Sequence, residues 1–114
     1  MLNDWVEDLP VAVTVTSADG TIIAMNRCSC ETFARDGGAA LIGKSVFDCH
    51  SNAARKKAKT LYRSQQPNHY TVTKSGTKKI IHQLPWFKDE RFAGVVEISI
   101  PIPDNLAHFD RDAK

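Results

Sequence analysis

The sequence predicts an α+β domain: a five-stranded antiparallel sheet covered on one face by short helices and preceded by an N-terminal helix. Three observations predict it. Two runs rich in β-branched residues flank an Asp-Gly turn near the N-terminus, a basic amphipathic helix occupies the middle, and three further strands alternate with polar turns.

In chain order, Leu2, Trp5, Val6 and Leu9 stand at helical spacing and Pro10 ends their segment, so residues 1–10 read as a short amphipathic helix. Val11–Thr16 and Thr21–Met25 flank Ser17-Ala18-Asp19-Gly20 as a β-hairpin. Asn26 is a helix cap before Arg27–Ala34, which Gly37-Gly38 terminates, and Ala39–Lys44 makes one more helical turn that Gly43 closes. Ser51-Asn52 caps a helix from about Ala53 to Arg63, with Ala54, Ala58, Leu61 and Tyr62 on one side and Arg55, Lys56, Lys59 and Arg63 on the other. Tyr70–Thr73, Lys79–Trp86 and Phe92–Ile100 then form an antiparallel meander. Residues 11–102 make the domain, and 103–114 a polar tail.

With 114 residues, 42% hydrophobic and 25% charged, the chain has the composition of one globular domain and not of a disordered or coiled-coil protein. No apolar run approaches the ~20 residues of a bilayer span, and the acidic start is not a signal peptide. Three cysteines, Cys28, Cys30 and Cys49, are no disulfide framework and point to a reducing, cytoplasmic setting. Residues Lys44 to Lys79 hold nine basic side chains against the single acid Asp48, a local balance of +8, while the remainder is acidic. A solvated basic helix face explains this, although such segregation also steers acidic partners. Only Tyr62 accompanies that helix as a stacking aromatic, which argues against nucleic acid. The fingerprints of nucleotide binding and hydrolysis are missing, which argues against an enzyme.

In their order and spacing, Leu9-Pro10, Asp19-Gly20, Met25-Asn26, Leu41-Ile42-Gly43-Lys44 and Gly94-Val95-Val96-Glu97-Ile98 resemble the PAS domains over nearly the whole chain. The resemblance implies a sensory or signalling domain that binds a small ligand or cofactor and transmits through protein–protein contacts with a second copy or an effector; the alternative is a ligand-free module serving dimerisation or partner interaction. It also implies a homodimer in which Leu2, Trp5, Val6 and Leu9 form the interface. The chain departs from the pattern at Pro101-Ile102-Pro103, where domains feeding an effector carry an Asp-Ile-Thr-like junction. Both a stand-alone module and a part of a larger regulator remain open.

His50 precedes the basic helix, and Asp48–Lys57 is similar to the stretch in bacterial carbon-monoxide-responsive regulators in which a histidine binds haem iron. The similarity extends to basic residues five and seven positions on, Arg55 and Lys57. It implies haem b with His50 as the metal ligand, non-covalent because the chain has no Cys-x-x-Cys-His motif, with Arg55, Lys56 or Lys57 as the basic residues to meet the propionates. Alternation groups His82 with Ile80, Leu84 and Trp86, either as a sixth ligand or as a residue of the sheet surface. A histidine that only hydrogen-bonds backbone at the helix start is the other reading. Without haem, an apolar ligand space lined by Ile42, Phe47, Leu61 and Tyr62, with Val13, Ile23, Phe33, Leu41, Ile81, Val96 and Ile98, equally describes an ordinary core. Cys28, Cys30, Cys49 and His50 have the ligand types of a zinc site, but residues two apart on a helix diverge by roughly 200° and cannot share a metal.

Overall fold

The computed structural model describes residues 3–48 and 51–112. The elements run α1 (Asp4–Glu7), β1 (Ala12–Thr16), β2 (Ile22–Met25), α2 (Arg27–Thr32), two 3₁₀ turns at Ala34–Asp36 and Gly38–Leu41, α3 (Asn52–Ser64), β3 (Asn68–Lys74), β4 (Thr77–Lys88) and β5 (Arg91–Pro101). The strands form one antiparallel sheet in the order β2-β1-β5-β4-β3. The expected α+β architecture is present.

The N-terminal helix is shorter than its apolar spacing suggests. Its N-cap Asn3 makes no side-chain bond, and only four residues are helical. Leu2 lies outside the described residues. Val6 is buried, Leu9 is half-buried, and Trp5 projects with 68% of its surface exposed. The segment is thus anchored by Val6 and presents its tryptophan outward.

Asn26 holds this end together. Its Oδ1 accepts from Ser29 N, capping α2, and also from Val13 N in β1. Its Nδ2 donates to the carbonyls of Val6 and Val11. One fully buried side chain therefore joins α1, β1 and α2. Beneath it, Ile22, Met25 and Leu41 pack with Cys30, Phe33 and Val46 into the main core. Gly43 turns the chain here at φ +96°, as its place after the helical turn predicts, and its N–H donates to Ile22 O.

The opposite end is open. Helix α3 is capped by the Ser51 side chain on Ala54 N and ended by Gln65 in the left-handed region, yet none of its residues is buried. Strand β3 is exposed throughout. Pro85 sits inside β4 beyond Gln83, the last residue paired with β3, so its missing N–H interrupts no described ladder there. Residues 103–112 add no helix or strand and are exposed.

Candidate ligand site on the helix-covered face

The register decides which side chains face the helices. Thr14 bonds Ser29 of α2 and Thr16 bonds Tyr62 of α3, so the face carrying Thr14 is the covered one. Cross-strand partners share a face, and Thr14 is aligned with Glu97, Gln83 and Asn68 in turn. These polar residues form a ladder: Asn68 Nδ2 donates to Gln83 Oε1 at 2.8 Å, and Gln83 Nε2 donates to Glu97 Oε2 at 3.0 Å. Ile81 and Tyr70 lie on the same face one pair further along.

Helix α3 is moored over this floor by its aromatic and basic side chains. The Tyr62 ring meets Phe47 edge-on at 5.1 Å and Phe92 at 6.1 Å, and Arg55 Nε donates to Phe47 O at 2.7 Å. Thr16 Oγ1 shares a hydrogen bond with the Tyr62 hydroxyl and also meets the Val95 backbone, where Val95 N donates to it and Val95 O accepts from it. Burial, opposed by that bond and reinforced by the nearby Glu97 charge, pushes the Tyr62 pKa up. Burial and then Glu97 do the same for Tyr70. Both phenols therefore sense the Glu97 charge, and among the described residues Glu97 has no cationic partner.

The residues singled out from the sequence are distributed unevenly around this site. Phe47, Leu61, Tyr62 and Arg55 are half-buried, whereas Lys57 is exposed and Ile42 is 44% exposed. Cys49 and His50 lie outside the described residues. His82 shares its face with Ile80, Leu84 and Trp86, as alternation predicts, but it is aligned with Ile98 and Val13 on the side away from the helices. The fold therefore does not bring His82 to the covered face as a sixth iron ligand. Val13, Val96 and Ile98 leave the expected lining for the same reason, and Ile23 is 44% exposed. Glu97, Gln83, Thr14 and Tyr70 were not expected. The available signal was Glu97 itself, the one charged residue between Ala93 and Ile102.

Haem asks for an axial donor and a largely apolar wall. The described floor mixes polar Thr14, Gln83, Glu97 and Asn68 with Ile81 and Tyr70 and holds no described histidine or cysteine, so the haem reading rests on His50. Among the described residues no group of three or more His, Cys, Asp or Glu could hold a metal, and no helix is long and apolar enough to cross a membrane. A shallow groove of about 280 Å³ is lined by α3 alone, by Asn52, Arg55, Lys56, Lys59, Thr60 and Arg63, and follows the basic stripe expected there.

Comparison with known proteins gives the fold. No family model matches the chain, and no curated protein matches its sequence. Solved structures do. A C-terminal domain from Streptococcus mutans is similar with a TM-score of 0.70 at 17% identity, covering 85% of this chain and 79% of its own. The Aer2 receptor from Vibrio cholerae, a dual PAS-heme oxygen sensor, matches at 0.65 and 12% identity over 82% and 95% of the two chains. A PAS domain of an HTR-like protein from Haloarcula marismortui matches at 0.61 and 18% identity over 85% of each. The chain has the PAS fold.

Proposed function

We propose that the chain is a PAS-type sensory domain that takes a small molecule bearing a cationic or hydrogen-donating group between α3 and the covered face of the sheet. It passes the ligand's presence on through protein–protein contacts, with a second copy of the chain or with an effector protein. The carrying observation is Glu97: a half-buried carboxylate, held on one oxygen by Gln83, close enough for its charge to act on Tyr62 and Tyr70, and without a cation among the described residues. A half-buried charge gains most from a partner of opposite sign, and tyrosine faces add cation–π attraction. The loose seating of α3 supports a conformational readout, because its side chains are the ones a bound molecule would meet. A thermal-shift screen with small amines, amidines and carboxylic acids tests this. Cationic compounds should raise the midpoint of the wild type and not of Glu97→Gln; stabilisation by acids, or equal stabilisation of the variant, overturns it.

Haem b with His50 as ligand is the second reading, supported by the likeness in fold to the Aer2 sensor. Haemin titration of wild type against His50→Ala separates the two. A Soret shift lost in the variant supports iron ligation, and identical titrations remove haem from the account.

A further inference from the structure

Away from the ligand site, strand β3 carries His69 directly opposite His82 of β4. The two Nδ1 atoms lie 2.8 Å apart, and the rings meet edge-on with centroids 5.0 Å apart and planes at 75°. Two such nitrogens can share one proton, or their lone pairs can converge on one metal ion. With metal–imidazole bonds of about 2.0–2.1 Å, a 2.8 Å separation corresponds to an N–metal–N angle of about 86°. A tetrahedral ion would need the nitrogens about 3.3 Å apart. The spacing matches neighbouring positions of a square-planar or octahedral ion, the geometries of Cu²⁺ and Ni²⁺.

We propose that His69 and His82 form a two-imidazole chelate for a divalent transition-metal ion of Cu²⁺ or Ni²⁺ type on the face of the sheet opposite the helices. The broad χ2 torsion of histidine lets both rings turn from the shared-proton arrangement toward a common centre. The nearest neighbours on that face are Thr71, Ile80, Leu84 and Ile98, none of which brings a positive charge, and Lys78 stands two pairs away opposite Thr73. Among the described residues no third acidic, cysteine or histidine side chain joins the pair, so water completes the coordination. The bound ion bridges the exposed edge strand β3 to β4 and fixes their register, adding to the backbone ladder and the Asn68–Gln83 side-chain bond.

The test uses the untagged full chain and Ni²⁺, which does not oxidise the free thiols. Calorimetry should show one ion per chain, with affinity reduced about tenfold or more in His69→Ala and in His82→Ala and unchanged in His108→Ala. Amide signals of wild-type protein should change around residues 69 and 82 on adding Ni²⁺, a readout that depends on no variant. Equal binding by His69→Ala or His82→Ala, signal changes centred elsewhere, or the absence of one-to-one binding would each overturn the proposal.

Discussion

Replacing Asn26 by alanine should cost far more than a helix cap. The cap alone, Ser29 N on Oδ1 at 3.0 Å, is worth about 1 kcal/mol. The same side chain also satisfies Val13 N at 2.9 Å, Val6 O at 2.9 Å and Val11 O at 2.8 Å, and it is 0% exposed. Each buried backbone group left without a partner costs about 1–3 kcal/mol, less where water enters at the partly buried Val11 carbonyl. The expected loss is about 3–5 kcal/mol, a large share of the roughly 5–15 kcal/mol that holds such a domain together. Urea unfolding followed by fluorescence of Trp5 and Trp86 measures it, with a fall in thermal midpoint of about 12–20 °C as the parallel readout. Asn26→Ser should keep the cap but not the reach to Val6, and so fall short of the alanine loss by about 1 kcal/mol. A loss near 1 kcal/mol for Asn26→Ala, with no further gain for serine, would refute the view that this amide joins the N-terminal segment to the sheet.

Three further outcomes are expected. Gly94 lies at φ +150° with Thr16 O and Trp86 Nε1 in the space a Cβ would take, so Gly94→Ala should destabilise by about 3 kcal/mol or more in denaturant unfolding. Tyr62 and Tyr70, the chain's two tyrosines, should ionise above the ordinary value in an ultraviolet pH titration. Their folded pKa values are raised, so this stabilising contribution is full below pH about 10 and is lost as pH climbs through the folded values; Tyr62→Phe should lessen that alkaline fall. Trp5, exposed on a helix anchored by Val6, is proposed to bury itself against a second copy, and Trp5→Ala should shift a dimer toward monomer in sedimentation; a wild type that stays monomeric at high concentration contradicts this.

What could be read from the sequence was mostly local. The hairpin around Asp19-Gly20, the Asn26 and Ser51 caps and the closing Gly43 each follow from a residue's own conformational preference or a hydrogen bond within its turn. The faces of the sheet were harder. Alternation groups His82 correctly with Ile80, Leu84 and Trp86, but both faces of β4 and β5 carry apolar residues, so alternation cannot say which one the helices cover. The polar ladder was hidden for a related reason: Thr14, Gln83 and Glu97 are far apart in the chain and become neighbours only through strand register. The second role of Asn26 was equally out of reach, since Val6 and Val11 meet its Nδ2 only after α1 folds back. At the N-terminus, apolar spacing overstated the helix because four residues give too few internal bonds to extend it.

The most direct test of the proposed ligand site is an amide shift map of the labelled domain against a panel of small amines, amidines and amides, recorded for wild type and for Glu97→Gln. Binding should move the signals of Tyr62, Tyr70, Gln83 and Glu97 together and disappear in the variant while its remaining spectrum stays that of the folded domain. Shifts gathered on the opposite face of the sheet, or titrations that the loss of the Glu97 charge leaves unchanged, would contradict a ligand site on the helix-covered face.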